Sequence, residues 1–547
     1  MANQLSLKMN TYNALIYKKY NTIVVGLIVL LLPSYCFSTN KYFLKSPNGD
    51  ISLQFIEKGD SVFFTQSYKT DTIIGLSPIG LIVDETDFSK NVKIIKFRKS
   101  KFDETWKTVN DKNRFVRNNY NECILNIKHK IKQKLSYELI VRCYDDGFAY
   151  RYSLNNSGND TLNLKSELTN LHFKNDFTFW AFNGEKHNIG PEKRSTKFLT
   201  RVEIPMVLEL NESLYMAIHE AEISKYAPLS LSTKGPGNRI LFNVEETKDK
   251  NKITSSWRTF IIGKRPGDLV ESNLLINLNE PCKIEDASWI KPGKSVWDWR
   301  VLGYKTEDGF EYGLNTITHK RFIDFAAENN IQYFLIDAEW YGPEFSENSN
   351  PAVAIDGINI KESIEYAKKR GIGIILYLND VGAQKFGLEK VLKQFSDWGA
   401  IGVKYGFMKD TKEKKVKRTR EIVRLCAKYK LMVDFHDNPI PPSGDRRTYP
   451  NLITREYGHS QADAKRSYFP KTAVTAPFVN MIAGPVDYAN GWFGLNNARS
   501  RIKVWEDIPG TVSAEVAKLI VIYTGWMILP DAPEEYLKKT DLFECVR

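Results

Sequence analysis

The stretch Phe334-Leu335-Ile336-Asp337-Ala338-Glu339-Trp340-Tyr341 is a short apolar run that ends abruptly in acids and aromatics. A run of this length, too short for a helix and fully apolar, reads as a strand buried on both faces. Working outward, the same unit recurs. Strands are predicted at Val296–Val301, Tyr333–Trp340, Ile372–Asn379, Gly402–Met408, Leu431–Asp437, Asn451–Tyr457, Phe478–Ile482 and Trp526–Asp531. Amphipathic helices lie between several of them. Asn359 is placed to cap one, with Glu362 three residues on, Ile360, Ile364 and Ala367 on one face, and Gly371 to end it. Eight buried strands alternating with helices predict a (β/α)8 barrel over 290–535. A doubly wound sheet is the alternative, but no glycine-rich dinucleotide loop follows a strand.

Upstream, over 41–286, the period changes to two. Ile51, Leu53 and Phe55 alternate after the turn Asn48-Gly49-Asp50, and Phe148, Tyr150 and Tyr152 alternate after Asp145-Asp146-Gly147. Many short strands separated by such turns predict an all-β sandwich. The fold class is therefore an N-terminal β-sandwich followed by a (β/α)8 barrel, with 536–547 a short C-terminal end.

The chain has 547 residues, 42% of them apolar and 26% charged, which is the composition of a globular protein and excludes a disordered or collagenous chain. The formal net charge of +12 is spread along the chain. Its only dense basic run, Lys412 to Arg420, falls on a predicted helix and reads as a solvated face, with no nucleic-acid motif beside it. Residues 1–38 have the form of a cleaved secretory signal. Lys8, Lys18 and Lys19 precede the apolar run Ile23–Leu32, Pro33 breaks that run, and cleavage is expected after Ser38. Ten apolar residues are too few for a stable membrane span. A periplasmic or secreted location is expected. The remaining cysteines, Cys123, Cys143, Cys282, Cys426 and Cys545, are odd in number and widely spaced, so no disulfide framework is expected.

Active sites of such barrels lie at the C-terminal ends of the strands. Those ends carry Trp297-Asp298-Trp299, Asp337, Glu339, Trp340, Asn379-Asp380, His436-Asp437, Glu456 and Asp487. Carboxylates interleaved with Trp and Tyr suit a glycosidase. Two acids protonate the leaving oxygen and activate water or attack, while aromatic faces stack on sugars. Trp297, Asp337, Glu339, Trp340 and His436 are the expected substrate contacts. Capping and salt bridges at strand ends would account for single acids, but less well for the whole set. His436, Asp437 and Glu456 also offer donors of the kind that hold Ca²⁺.

Several longer segments resemble glycoside hydrolase family 97. They are Ser46 to Asp50, Asp146 to Tyr152, Lys291 to Trp299, Phe334 to Tyr341, His436-Asp437 with Pro442 to Glu456, and Ala483 to Tyr488. The resemblance implies an exported bacterial α-glucosidase or α-galactosidase with Ca²⁺ in its site, acting on an oligosaccharide or polysaccharide-derived α-glycoside. It also implies a C-terminal β domain, which the sequence up to Arg547 lacks. Retaining members are expected to place a nucleophilic Asp after the fourth strand, where this chain has Gly406, so inversion is expected. Asp437, with Asp380, is the expected base. The general acid falls at Ala462, which makes its neighbour Asp463 the expected acid. The metal ligands implied are Glu192, Asp437 and Glu456, with Glu185 in reserve for Glu192. A glycan-binding barrel that has lost catalysis is the alternative. Oligomeric state is not legible.

Overall fold

The computed structural model describes residues 39–132, 135–155, 161–460, 470–496 and 500–547. The expected signal segment and Asp463 lie outside the described residues.

The described upstream region is built of strands as far as Gly263, followed by the short helices Pro266–Glu271 and Leu274–Asn277. Asn40–Lys45, Ile51–Lys58, Ser61–Tyr68 and Asp71–Pro78 form a four-stranded sheet. A much larger sheet includes the long hairpin Val92–Lys107 and Phe115–His129, together with Ser136–Tyr144, Gly147–Asn155, Leu214–Ala221 and Trp257–Gly263. Ile51, Leu53 and Phe55 of the first sheet share one core with Phe148, Tyr150, Tyr152 and Phe260 of the second. The period-two alternation aims these side chains inward. Phe148 stacks on Phe260 across the strand pair at 4.3 Å between ring centres. At the edge of this core Arg258 is buried between Glu167, at 2.8 Å, and Glu220. The outer face of the large sheet is covered as well. Ala149, Ala217 and Ile261 pack against Leu274 and Leu275 of a short helical linker and against Val479 and Ile482 of the downstream region.

The downstream strands, labelled here for the barrel alone, are β1 Gly293–Trp297, β2 Tyr333–Ile336, β3 Gly373–Asn379, β4 Gly402–Gly406, β5 Met432–Phe435, β6 Leu452–Arg455 and β7 Trp526–Leu529. All pair in parallel, in the order β6-β5-β4-β3-β2-β1-β7. Among the described residues the barrel thus has seven ladder strands and is nearly closed, where eight were expected. The strand expected at Phe478–Ile482 is instead the end of a helix, Pro470–Val479, and a 3₁₀ turn, Asn480–Ile482. Its apolar residues serve the contact with the β-sheet rather than a barrel wall. The open side between β6 and β7 is bridged by the irregular segment that follows. The Val486 amide donates to the Tyr523 carbonyl at 3.0 Å, and the Asp487 amide to the Arg455 carbonyl at 2.7 Å. Pro485 lacks an N–H, so this segment forms no regular ladder. The other predicted strands are present but shorter, because their polar ends leave the ladder. The first ends at Trp297, and Trp299–Val301 turn in a 3₁₀ helix.

The helices α1 Thr316–Glu328, α2 Ile360–Lys369, α3 Asp380–Phe386, α4 Leu388–Trp398, α5 Lys412–Lys428 and α6 Val512–Val521 lie among these strands along the chain. Asn359 caps α2 by accepting from the Glu362 amide at 3.1 Å, and Ile360, Ile364 and Ala367 are buried. The basic run on α5 departs from its expected reading as a solvated face. Arg418 pairs with Asp380 at 2.8 Å, and Arg420 donates to the Ile223 carbonyl of the β region. Two of the six basic residues of the run are thus engaged within the protein. Tyr536, Phe543 and Val546 of the C-terminal end are buried in the barrel's core.

Candidate active site

The C-terminal ends of the strands open into a cavity of about 750 Å³. β1 contributes Trp297, with Trp299 and Arg300 just beyond it. β2 is followed by Asp337, Ala338 and Glu344, β3 contributes Tyr377, and β4 contributes Lys404, with Phe407 after it. β5 is followed by His436 and Asp437. The roof comes from the β region, because the turn between Thr178–Phe182 and Ile189–Lys193 lays Asn183, Glu185, Lys186 and His187 over the opening.

Asp337 is fixed from three sides. Its carboxylate accepts from Lys404 Nζ at 2.6 Å and from the Trp297 indole N–H, and its backbone amide donates to Asp298 at 3.0 Å. Lys404 also lies over the Trp297 ring at 4.4 Å. Burial, followed by the Asp337 charge, pushes Asp298 up to about 8. The Trp297–Asp337–Lys404 unit is therefore a charge-neutral wall with an aromatic face.

His436 is the centre of a second unit. Nε2 bonds to Asp487, with Asp434 3.2 Å away, and Nδ1 faces Glu456 at 3.2 Å. Burial and the nearby Lys404 oppose protonation, yet Glu456, Asp434 and Asp487 together hold the imidazole well above its ordinary value. Asp434, His436 and Asp487 also have the spacing of a metal trio. The ring satisfies Asp487 by a hydrogen bond, whereas both Asp434 oxygens are buried without a hydrogen-bond partner among the described residues.

The third unit is anionic. Asp437 has a left-handed backbone, φ 60°, and its amide donates to Glu456 Oε2 at 2.9 Å. Glu456 Oε1 is buried and has no donor among the described residues. Glu185 reaches down from the roof, where the Asn438 amide donates to it at 2.6 Å. Burial, then the Glu456 charge, raises Asp437 to about 8, and the same causes in the same order raise Glu185. Burial raises Glu456 too, but the His436 charge and hydrogen bond outweigh it and bring Glu456 down to about 2. Two raised carboxyl groups beside an ionised third with an orphaned oxygen are what a hard cation stabilises. Glu185, Asp437 and Glu456 offer the oxygen donors that Ca²⁺ prefers, although their donor atoms are not drawn together at metal spacing as those of Asp434, His436 and Asp487 are.

Gly406, at the end of β4, adjoins this unit. A Cβ there would lie 2.5 Å from Asp437 Oδ2 and 2.6 Å from the Tyr377 hydroxyl. The Asp437 carboxyl fills the space that a side chain on β4 would take. Gly406→Ala is expected to lower kcat roughly 10–10²-fold through displacement of that carboxyl, since small misplacements cost this much. The melting temperature should change little, because the collisions are with ends of side chains; calorimetry beside steady-state kinetics checks both.

The sequence-derived residues divide clearly. Trp297, Asp337, His436 and Asp437 line the cavity, and Glu456 lies directly behind Asp437. Trp340 does not line it. It is fully buried, its indole donating to the Tyr377 carbonyl at 3.0 Å and its ring packed against Phe395 and Trp398. Glu339 is not in the cavity lining, but it pairs at 2.9 Å with Lys503, which is. Asp380 turns away as the first residue of α3, accepting from Tyr405 at 2.6 Å and Arg418 at 2.8 Å. Glu192 lies on the second strand of the roof hairpin and faces Lys197 at 3.7 Å. The turn, not the strand, reaches the cavity, so Glu185 lines it and Glu192 does not. Arg446 and Arg447 brace their loop against Asp111 and Glu104 of the β region. Glu344 and Tyr377 were missed, since a lone Glu in a loop and a Tyr inside a strand carry no motif.

An aromatic, carboxylate-lined cavity at the mouth of a parallel barrel, roofed by a β domain, defines a glycoside hydrolase of the barrel type. Two family profiles agree with it. Glycosyl-hydrolase 97 N-terminal matches residues 44–281 and glycoside hydrolase 97 matches residues 296–457, so the chain belongs to glycoside hydrolase family 97. It is 25% identical over 563 residues to a retaining alpha-galactosidase of Bacteroides thetaiotaomicron, covering 94% of this chain and 83% of that protein. It is 26% identical over 432 residues to a probable retaining alpha-galactosidase of Streptomyces bingchenggensis, covering 77% of this chain and 65% of that protein. A family 97 enzyme from Pseudoalteromonas sp. strain K8, solved with acarbose, superposes with a TM-score of 0.83 at 24% identity, covering 92% of this chain and 83% of that one.

Proposed function

We propose that this glycoside hydrolase is an exported, calcium-dependent α-glycosidase that cleaves α-galactosidic or α-glucosidic bonds with inversion. The observation that carries the reading is the Asp437 carboxyl in the space left by Gly406, beside Glu456 and beneath Glu185. With no carboxyl on β4 to attack the sugar, Asp437 takes the proton of a water that attacks the anomeric carbon. Trp297 supplies a stacking face, and the Asp337–Lys404 pair offers hydrogen bonds to sugar hydroxyls. Bound Ca²⁺, held by Glu185, Asp437 and Glu456, would supply positive charge that orients substrate oxygens. The relatives' names support α-galactosides, and the acarbose bound in the Pseudoalteromonas enzyme supports α-glucosides. The signal-like residues 1–38 support export.

The test is proton NMR of the purified protein acting on α-galactosides and α-glucosides. A β-anomer as first product is expected. Chelation should abolish turnover and lower the melting temperature, and Ca²⁺ alone should restore both. An α-anomer would mean retention, with Asp437 itself as the attacking group. Saturable sugar binding without product would support the non-catalytic glycan-binding alternative.

A further inference from the structure

Four carboxyl groups line the cavity among the described residues: Glu185, Asp337, Glu344 and Asp437. Three of them have partners that define their work. Asp337 is tied to Lys404 and Trp297, while Glu185 and Asp437 belong to the anionic unit around Glu456. Glu344 alone belongs to neither unit. Its hydrogen-bond partner is the Tyr377 hydroxyl, which donates to Oε1 at 2.7 Å. The same hydroxyl borders the space over Gly406 that Asp437 Oδ2 enters from its other neighbour strand. One phenol therefore stands between Glu344 and Asp437.

The loop that carries Glu344 is held firmly. Pro343 precedes it, and the Pro343 carbonyl accepts from the Ser349 hydroxyl at 2.8 Å. Phe345 follows it and packs edge-on against the cavity-lining Phe407, with ring centres 4.6 Å apart. Both phenylalanines have left-handed backbones, φ 63° and 55°, a conformation that costs energy and persists only where packing enforces it. A surface acid of no consequence would not need this bracing.

We propose that Glu344 is the proton donor to the departing glycosidic oxygen, a conclusion that rests on the hydrolase reading given above. The Glu344 O–H bond breaks as its proton passes to the glycosidic oxygen. The C1–O bond breaks with its electron pair going to that oxygen, and the aglycone leaves as an alcohol. The attacking water forms the new C1–O bond and gives its proton to Asp437. Solvent then carries one proton from Asp437 to Glu344, and the net change is addition of one water across the bond. Burial raises the Glu344 carboxyl above its ordinary range and outweighs the Tyr377 hydrogen bond, which suits a group that must hold a proton.

The experiment compares two substrates with opposite needs. A disaccharide has a poor leaving group and requires the acid, whereas the glycosyl fluoride of the same sugar does not. Glu344→Gln is expected to lower kcat/KM on the disaccharide about 10²–10³-fold and on the fluoride less than about tenfold, with loss of the alkaline limb of the pH profile. Glu344→Asp should recover part of the disaccharide activity, which a folding defect would not allow. Asp463→Asn is run beside them. Equal losses on both substrates in Glu344→Gln, or no loss, would overturn the proposal. So would the leaving-group signature appearing in Asp463→Asn instead. If the unmodified protein hydrolyses neither substrate, the parent reading fails first.

Discussion

Asp437→Asn is expected to lower kcat about 10³-fold or more on any α-glycoside the protein hydrolyses, without destabilising the fold. The substitution keeps the shape of the side chain but removes its basicity, and it weakens the anionic unit with Glu456 and Glu185. Stability should survive for two reasons. Asn tolerates the left-handed backbone at this position as well as Asp does, and the Asp437 amide still donates to Glu456. Moreover, Asp437 and Glu456 repel each other, since the Glu456 charge is among the causes that raise Asp437. Neutralising one of them relieves that repulsion, so the melting temperature of the metal-free protein should hold or rise. Steady-state kinetics and calorimetry in chelator give both numbers. A variant that keeps more than a tenth of the activity would remove Asp437 from the chemistry.

The second large effect lies far from the cavity. Arg258→Met is expected to cost about 3–5 kcal/mol of stability, because it leaves Glu167 and Glu220 buried without their cation. The loss should depend on pH with a definite sign. Burial already raises Glu220 above its ordinary value even with Arg258 beside it, and without Arg258 it rises further. A carboxyl whose pKa is higher in the folded state favours folding below the ordinary carboxylate range, and that contribution is lost as pH rises through the folded value. The deficit against the unmodified protein should therefore be largest at neutral pH and shrink toward pH 4. Urea titrations at pH 4.5 and 7.5 measure it. A deficit that grows on acidification would contradict the buried-pair account. Activity at low temperature should persist, since Arg258 does not line the cavity.

The two-part fold was legible because its two periods are physically distinct. Alternation in Ile51–Phe55 and Phe148–Tyr152 marks the strand face that enters the sandwich core, and the apolar run of Phe334–Ile336 marks a strand buried on both faces. The Phe478–Ile482 segment misled for the same reason. Its residues are buried, but by contact with the β-sheet, and hydropathy records burial without naming the partner. The strand-end rule located Trp297, Asp337, His436 and Asp437, which are the last ladder residue or lie within two residues of it. It failed for Glu339 and Trp340, three and four residues beyond the ladder, and for Asp380, which opens α3 and takes its direction from the helix. Glu185 and Glu344 sit on turns braced by distant residues, and contacts of that kind leave no local pattern.

The crowding at Gly406 also limits how a sequence can change over generations. Position 406 and the Asp437 carboxyl compete for one volume, so acids cannot simply accumulate there. A lineage that moved its carboxyl from the fourth strand to the fifth had to lose one before, or together with, accommodating the other. Each single step on that path passes through a chain with a displaced acid or with none. The two arrangements are therefore separated by poorly active intermediates, and once a gene has crossed, reversal by point substitution is selected against. Stereochemical outcome in such a barrel would then be a historical commitment, sorted by branch rather than tuned within it.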